Sequence, residues 1–407
     1  MTDLAPVQEQ SRIKSLDVVR GWALLGILAV NAIFFAAPFQ TAQNPLLEPV
    51  ALTDETTWSW YVMHVFFEFK MITLFSMLFG VSIFLVGGER SDKDRGKVLH
   101  RRLAWLALFG LLHGALLWYG DILLHYALVG FVVMFARSLS ARTLFISGAV
   151  IFTLITLVGG AFTAMMQLAP AEALEPMRKQ MWSPPAEEIQ ATIAAYQAGA
   201  LSSLQANFEV WAEFVWYMIF FAPRTLGLMM IGMGLYKWGF FSGALKASTY
   251  WAFAAIGAVA LALVAWQAQI NAARGFDFLH MMSVGNFANM ALSPFISLLY
   301  ASLLILVVKA GAVSFFTNAL AAVGRMAFTN YLMQTIIMTT IFYGGRGFGL
   351  FGEVDRVGLW GIVVVVWIAQ LIWSPLWLSR FSMGPFEWVW RSLSYARPVS
   401  MAKTAAA

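Results

Sequence analysis

The sequence predicts an all-α, polytopic helical membrane protein with about ten transmembrane helices, and three observations carry that expectation. Hydrophobic residues make up 60% of the chain and charged residues only 12%, against roughly 25% charged in an ordinary soluble domain. Mean hydropathy is +0.73. The apolar residues are gathered into runs close to the about 20 residues that cross a hydrocarbon core as a helix.

Taken in order, the runs lie near 18–38, 58–87, 102–118, 121–136 and 142–168, then 207–240, 249–270, 287–309, 325–344 and 357–379. The stretch 102–136 holds two helices if Tyr119-Gly120-Asp121 makes the turn. Run 207–240 exceeds one straight span and contains Pro223-Arg224, which predicts a kinked helix or a tight hairpin. These runs divide the chain into an amino-terminal transmembrane half (1–168), an extracytoplasmic loop (169–206), a carboxy-terminal transmembrane half (207–391) and a tail (392–407).

Basic residues orient the runs. Arg12 and Lys14 precede the first, Arg90, Lys93, Arg95, Lys97, Arg101 and Arg102 crowd the loop before the third, and Arg137 and Arg142 flank the next turn. With these on the cytoplasmic side, both termini are expected inside. The net charge of +5 then describes a basic membrane face, which sets nucleic acid aside as a partner. The absence of cysteine excludes disulfides and thiolate chemistry. Met1–Gln10 lacks the layout of a cleaved signal, so the first run is expected to remain as a span. Thr404–Ala407 is low-complexity and reads as disordered. On the outer side, Pro38–Thr57 and Ala169–Ala206 are long enough to form a lid, the first equally a solvated connector and the second with a helical patch at Ala186–Ala200. Gly344–Gly349 follows a helix rather than a strand and is expected to be a flexible turn.

Polar residues inside apolar runs are the functional candidates, because each costs free energy in hydrocarbon. Asp17 and Arg20 are spaced to share one face at the cytoplasmic mouth of the first helix, as a site or as an interfacial ion pair. Asn31 lies about 17 Å further along at 1.5 Å per residue. His64, Glu68 and Lys70 sit in the second run, before Ser76 and Gly80, whose spacing favours close helix packing. His113 is about 18 Å beyond Arg101 by helical rise. A neutral imidazole there suits a general base, with Asp121 as its orienting acid and His125 nearby, although a histidine bonding structurally between helices is also open. Straight helical rise would place Asp121 about 12 Å from His113. In the second half Arg224, Arg325, Asn330 and Gln334 are the polar candidates; a buried Arg suits a phosphate or carboxylate, and for Arg325 a place at the membrane surface against lipid phosphate is equally open. No histidine spacing fits a zinc site, and no metal is expected.

Several ordered signatures then meet: Leu16–Gly21, Phe75-Ser76-x-Leu78-Phe79-Gly80, Arg101-Arg102-Leu103, Gly110-x-x-His113, Gly120–Leu123 with Tyr126-Ala127, Gly324-Arg325-Met326-x-x-Thr329-Asn330-Tyr331, and Pro385-x-Glu387-x-x-Trp390-Arg391. Together they resemble the bacterial YeiB family, from about Arg12 to Arg391. The amino-terminal half is similar to the transmembrane acyltransferases, which include heparan-α-glucosaminide acetyltransferase.

That resemblance implies acyl transfer across a membrane, from a cytoplasmic acyl-CoA or other thioester co-substrate to a hydroxyl or amine of a lipid, glycan or small metabolite, with no bound cofactor. Asp17 and Arg20 match the first-helix signature. His64 falls where those relatives carry a catalytic histidine but lacks the flanking Trp-Asn-Gly, so His113 ranks first and His64 second. Arg20, Arg101 and Arg102 would receive the donor's phosphate. A transporter or lipid flippase with a midplane polar path is the alternative class, and a lipid scaffold the third. Membrane lipids are expected partners, and self-association is compatible with the sequence.

Overall fold

The computed structural model describes residues 12–403. The polar amino-terminal decapeptide and the Thr404–Ala407 tail lie outside the described residues. The chain is an all-α, multi-pass membrane protein in which, among the described residues, seven helical stretches are long and apolar enough to cross a bilayer: Lys14–Ala36, Thr57–Gly87, Ala141–Met166, Ala200–Lys237, Ala247–Ala273, Phe278–Lys309 and Arg356–Arg380. Ten were expected. The other three runs become Lys93–Leu116, whose first half is basic, Leu123–Val133, which is short, and Ala327–Phe342, with 16 residues. Length and charge separate them from the seven.

We number the helices that position the site as α1 (Lys14–Ala36), α2 (Lys70–Gly87), α3 (Lys93–Leu116), α4 (Leu123–Val133), α5 (Ala200–Lys237), α6 (Phe287–Lys309), α7 (Ser314–Arg325), α8 (Ala327–Phe342), α9 (Arg356–Arg380) and α10 (Pro385–Tyr395). α5 is one continuous helix through Pro223, not a hairpin.

One end of the bundle gathers basic residues. There Arg95 donates to the Val86 carbonyl near the end of α2, Lys237 at the end of α5 bonds the Arg137 and Leu139 carbonyls, and Ser15 of α1 bonds the Phe241 carbonyl. At the opposite end the two long loops pack on each other: Asn44 donates to the Trp182 carbonyl at 2.9 Å and Arg356 to the carbonyls of Val50 and Thr41. A cluster with Phe35, Trp118, Tyr196, Tyr343 and Phe351 underlies them. The helical patch in the second loop spans Ala186–Gln197.

Close helix approach rests on small residues. Gly80 lies against the Met229 carbonyl of α5, as its spacing from Ser76 suggested. Gly21 of α1 faces the Leu320 carbonyl of α7, and Gly324 of α7 faces the Asp17 carbonyl, leaving no room for a Cβ at either. This contact presses the Asp17 turn of α1 onto the turn that carries Arg325.

Candidate functional site: a basic cavity and a buried histidine dyad

A cavity of about 250 Å³ lies between α1, α2, α3, α4, α7, α8 and α10 at the basic end. Its mouth holds five arginines, Arg12, Arg20, Arg102, Arg325 and Arg391, against two carboxylates, Asp17 and Glu387. The i, i+3 spacing of Asp17 and Arg20 closes as expected, with Arg20 Nη1 at 3.0 Å from Asp17 Oδ1, while Arg12 Nη1 reaches the other carboxylate oxygen at 3.3 Å. Arg20 also reaches Ser82 on α2 at 3.4 Å. Arg102 stacks on the Trp390 ring, 3.7 Å from its centroid, and its carbonyl accepts the indole N–H. Burial and the neighbouring Arg12 bring the Arg391 guanidinium down to about 10.

Arg101 does not join this set. It is exposed, because consecutive residues on a helix point about 100° apart and only one of the pair can face inward. Arg325 lines the cavity and donates to the Ser382 carbonyl at 3.3 Å. Glu387 of α10 caps the start of α8, accepting the backbone N–H of Phe328 at 2.7 Å and of Thr329 at 3.1 Å and the Thr329 hydroxyl at 2.5 Å. Its burial raises the carboxyl above the usual range, opposed by those Thr329 bonds.

Inward, the walls turn apolar with Phe75, Phe79, Leu103, Leu106 and Phe328, and the cavity ends at Ile122, Leu123, Tyr126 and Tyr331. The Tyr331 ring lies 5.2 Å from the His113 ring, centroid to centroid. His113 Nδ1 is 2.9 Å from Asp121 Oδ1, and both residues are buried. This overturns the separation expected from a straight helix: α3 ends at Leu116, and the turn before α4 folds Asp121 back onto His113. Asp121 Oδ2 accepts the Leu124 N–H at 2.8 Å, capping α4. On the far side of the ring, Nε2 is 2.9 Å from the Thr335 hydroxyl of α8. His125 points elsewhere and bonds Thr225 of α5 at 2.8 Å.

A separate buried polar cluster surrounds His64. The second span is not a uniform helix: a wide turn over Met63–Phe67 and a left-handed Phe69 (φ +61°) interrupt it. Such a backbone costs of order 1–3 kcal/mol for a bulky residue, and it turns Lys70 back toward the preceding segment. Lys70 Nζ donates to the His64 carbonyl at 2.7 Å and to Asn289 Oδ1 on α6. Glu68 Oε2 lies 2.5 Å from His64 Nδ1 and accepts from Asn289 Nδ2 at 3.2 Å. Trp60 stacks on the His64 ring at 4.5 Å.

One turn along α2, Arg224 of α5 donates to Thr73 at 2.7 Å and to Ser293 at 3.0 Å. Asn330 bonds Ser374 at 3.0 Å and accepts the Trp373 N–H, and Gln334 bonds Gln370 at 2.9 Å, so this pair ties α8 to α9. Asn31 is half-buried and joins none of these hydrogen bonds. Among the described residues no group of His, Asp or Glu is arranged to hold a metal ion.

The residues that sequence reading did not single out as a site are Thr335, Asn289, Tyr331, Glu387 and Arg391. Tyr331, Glu387 and Arg391 lay in the ordered signatures, which was the available signal. Thr335 and Asn289 carried none.

A family model described as a protein of unknown function (DUF418) matches residues 235–397. The chain is 32% identical to the uncharacterized protein YeiB of Escherichia coli K12, over 93% of this chain and 95% of that protein. It is 31% identical to the uncharacterized protein YxaH of Bacillus subtilis 168, over 97% of each. An uncharacterized 39.9 kDa protein in the amylase 3′ region of Bacillus acidopullulyticus is 25% identical over 98% of this chain and 99% of its own. No solved structure matches.

Proposed function

The chain belongs to the YeiB family of uncharacterized proteins, and on that premise we propose that it is a membrane acyltransferase. It draws an acyl group from a thioester such as acyl-CoA on the basic, cytoplasmic side of a bacterial inner membrane and passes it to a hydroxyl or amine of a lipid, glycan or small metabolite. One observation carries this reading: a cavity with an arginine-rich mouth and an apolar throat ends on Tyr331, whose ring lies against the His113–Asp121 dyad. The mouth suits phosphate, through charge-assisted hydrogen bonds. The throat suits a pantetheine arm or acyl chain, and a carboxylate-oriented imidazole is a general base. The likeness of the Leu16–Gly21 signature to transmembrane acyltransferases points the same way.

In this reading Lys93–Leu116, Leu123–Val133 and Ala327–Phe342 also cross, giving ten spans with both termini cytoplasmic. Arg346, just past α8, donates to the Leu116 and Leu117 carbonyls at the end of α3, so those two helices end together, far from the basic end. Reporter fusions after Ala407 and within Ala169–Ala206 should report opposite sides; the same side for both rejects this topology.

The Lys70–Asn289–Glu68–His64 cluster, buried except for a half-buried Glu68, favours a second reading, a transporter or flippase that uses it as a midplane relay. Purified protein in vesicles, supplied with labelled acyl-CoA and membrane extract, separates the two. Acyl transfer should appear in the wild type and vanish in His113→Ala. Uptake or lipid scrambling without any transfer would replace the enzyme reading by the transporter.

A further inference from the structure

The proton that His113 can accept is already in place. A carboxylate only accepts hydrogen bonds, so the bond between His113 Nδ1 and Asp121 Oδ1 at 2.9 Å places the imidazole N–H on Nδ1. In the neutral ring that leaves the Nε2 lone pair facing the Thr335 hydroxyl, also at 2.9 Å, with the hydroxyl as donor. A helical threonine ordinarily turns its hydroxyl back to the carbonyl four residues earlier. Thr339 does so at 2.8 Å, whereas Thr335 stands 3.5 Å from the corresponding carbonyl of Tyr331 and is directed at the histidine. Hydroxyl, imidazole and carboxylate thus form the nucleophile–base–orienter arrangement of acyl-transfer enzymes. All three groups are buried, and Tyr331, one turn from Thr335, stands between them and the cavity.

We propose that Thr335 is the first acyl acceptor of this protein, forming an acyl ester that is then passed to the final hydroxyl or amine. The inference rests on the acyl-transfer reading above. In the first half-reaction His113 Nε2 takes the Thr335 proton, the Thr335 oxygen bonds the thioester carbonyl carbon, and the carbon–sulfur bond breaks as the thiol leaves with the proton held by His113. In the second half-reaction His113 takes the proton of the acceptor, the acceptor's oxygen or nitrogen bonds the same carbon, and the ester bond to Thr335 breaks as its oxygen regains the proton. Rotation of the Tyr331 side chain opens the cavity to the hydroxyl.

The test uses the full-length protein with labelled acetyl-CoA and palmitoyl-CoA, acid-quenched in the absence of acceptor and mapped by peptide mass spectrometry, beside transfer to membrane extract. An ester on the Thr335 peptide is expected in the wild type and in Thr335→Ser. Thr335→Val, which keeps shape and is checked for folding by thermal unfolding, should lose both ester and transfer by roughly 100-fold or more. Transfer by a folded Thr335→Val at the wild-type rate would overturn the acyl-enzyme and leave the acyltransferase reading standing. A wild type that consumes neither thioester would remove both.

Discussion

His113 and Asp121 are eight positions apart and yet share a hydrogen bond of 2.9 Å, because α3 stops at Leu116 and the connection to α4 doubles back. Asp121 is held on its other oxygen by the Leu124 N–H, so its position is set by the helix start it caps. The pair is therefore fixed before any substrate arrives. Asp121→Asn keeps the volume but can offer an N–H to His113 Nδ1, favouring the other tautomer. Acyl transfer should fall by about 1,000-fold or more, read as label moved from acyl-CoA per minute; an unchanged rate removes the dyad from the mechanism.

Under the acyl-transfer proposal, the arginine mouth should make binding of a phosphate-bearing donor sensitive to salt and to single charges. Arg102→Ala and Arg391→Ala should each weaken coenzyme A binding by roughly tenfold to a hundredfold, the worth of one charged hydrogen bond. Titration calorimetry in low and high salt measures this. Arg101→Ala, on the exposed face, serves as the comparison and should bind as the wild type does.

Gly324→Val places side-chain atoms where the Asp17 carbonyl lies. Separation of α1 from α7 should lower stability by about 1–3 kcal/mol and displace Asp17 and Arg325 from the mouth. Thermal unfolding in detergent reports the first effect and coenzyme A binding the second. Retention of both would mean that the contact is not tight.

Lys70→Met leaves Asn289 Oδ1 without its donor and the His64 carbonyl with the Asn289 amide alone, a loss of about 1–3 kcal/mol. Asn289→Leu should cost at least as much, since it also releases Glu68. Because the two share partners, the double variant is expected to cost less than the sum of the single ones. Strict additivity in denaturation would show that the cluster is not one network.

Burial raises the Glu387 carboxyl in the folded protein above its ordinary 4.5. The folded state then holds that proton more tightly than the unfolded state. This contribution to stability is complete below the ordinary value and is lost as pH rises through the raised one. Melting temperatures followed upward from about pH 4.5 should carry this component, and Glu387→Gln should remove it. The same variant loses part of the α8 cap, about 1 kcal/mol at neutral pH.

Much of the polar architecture was legible because charge in hydrocarbon is costly. Asp17 and Arg20 pair as their spacing required, Asn330 and Gln334 share a face of α8, and Tyr119–Asp121 turns the chain. The spans were less so: length and hydropathy mark seven unambiguously, whereas α3, α4 and α8 are too basic or too short to stand out. The bend at Phe69 was hidden, since nothing in an aromatic residue announces a left-handed backbone.

By itself the sequence determined the class of protein, the basic end and the residues that need partners, because those follow from the free energy of transferring each side chain into hydrocarbon. Which partner each one found was decided only by the tertiary structure. Thr335 and Asn289 lie 222 and 225 residues from the histidines they meet, and a hydroxyl or amide alone gives no periodic signal. Their roles arise where helices distant in sequence cross, and the crossing is fixed by packing of the whole bundle.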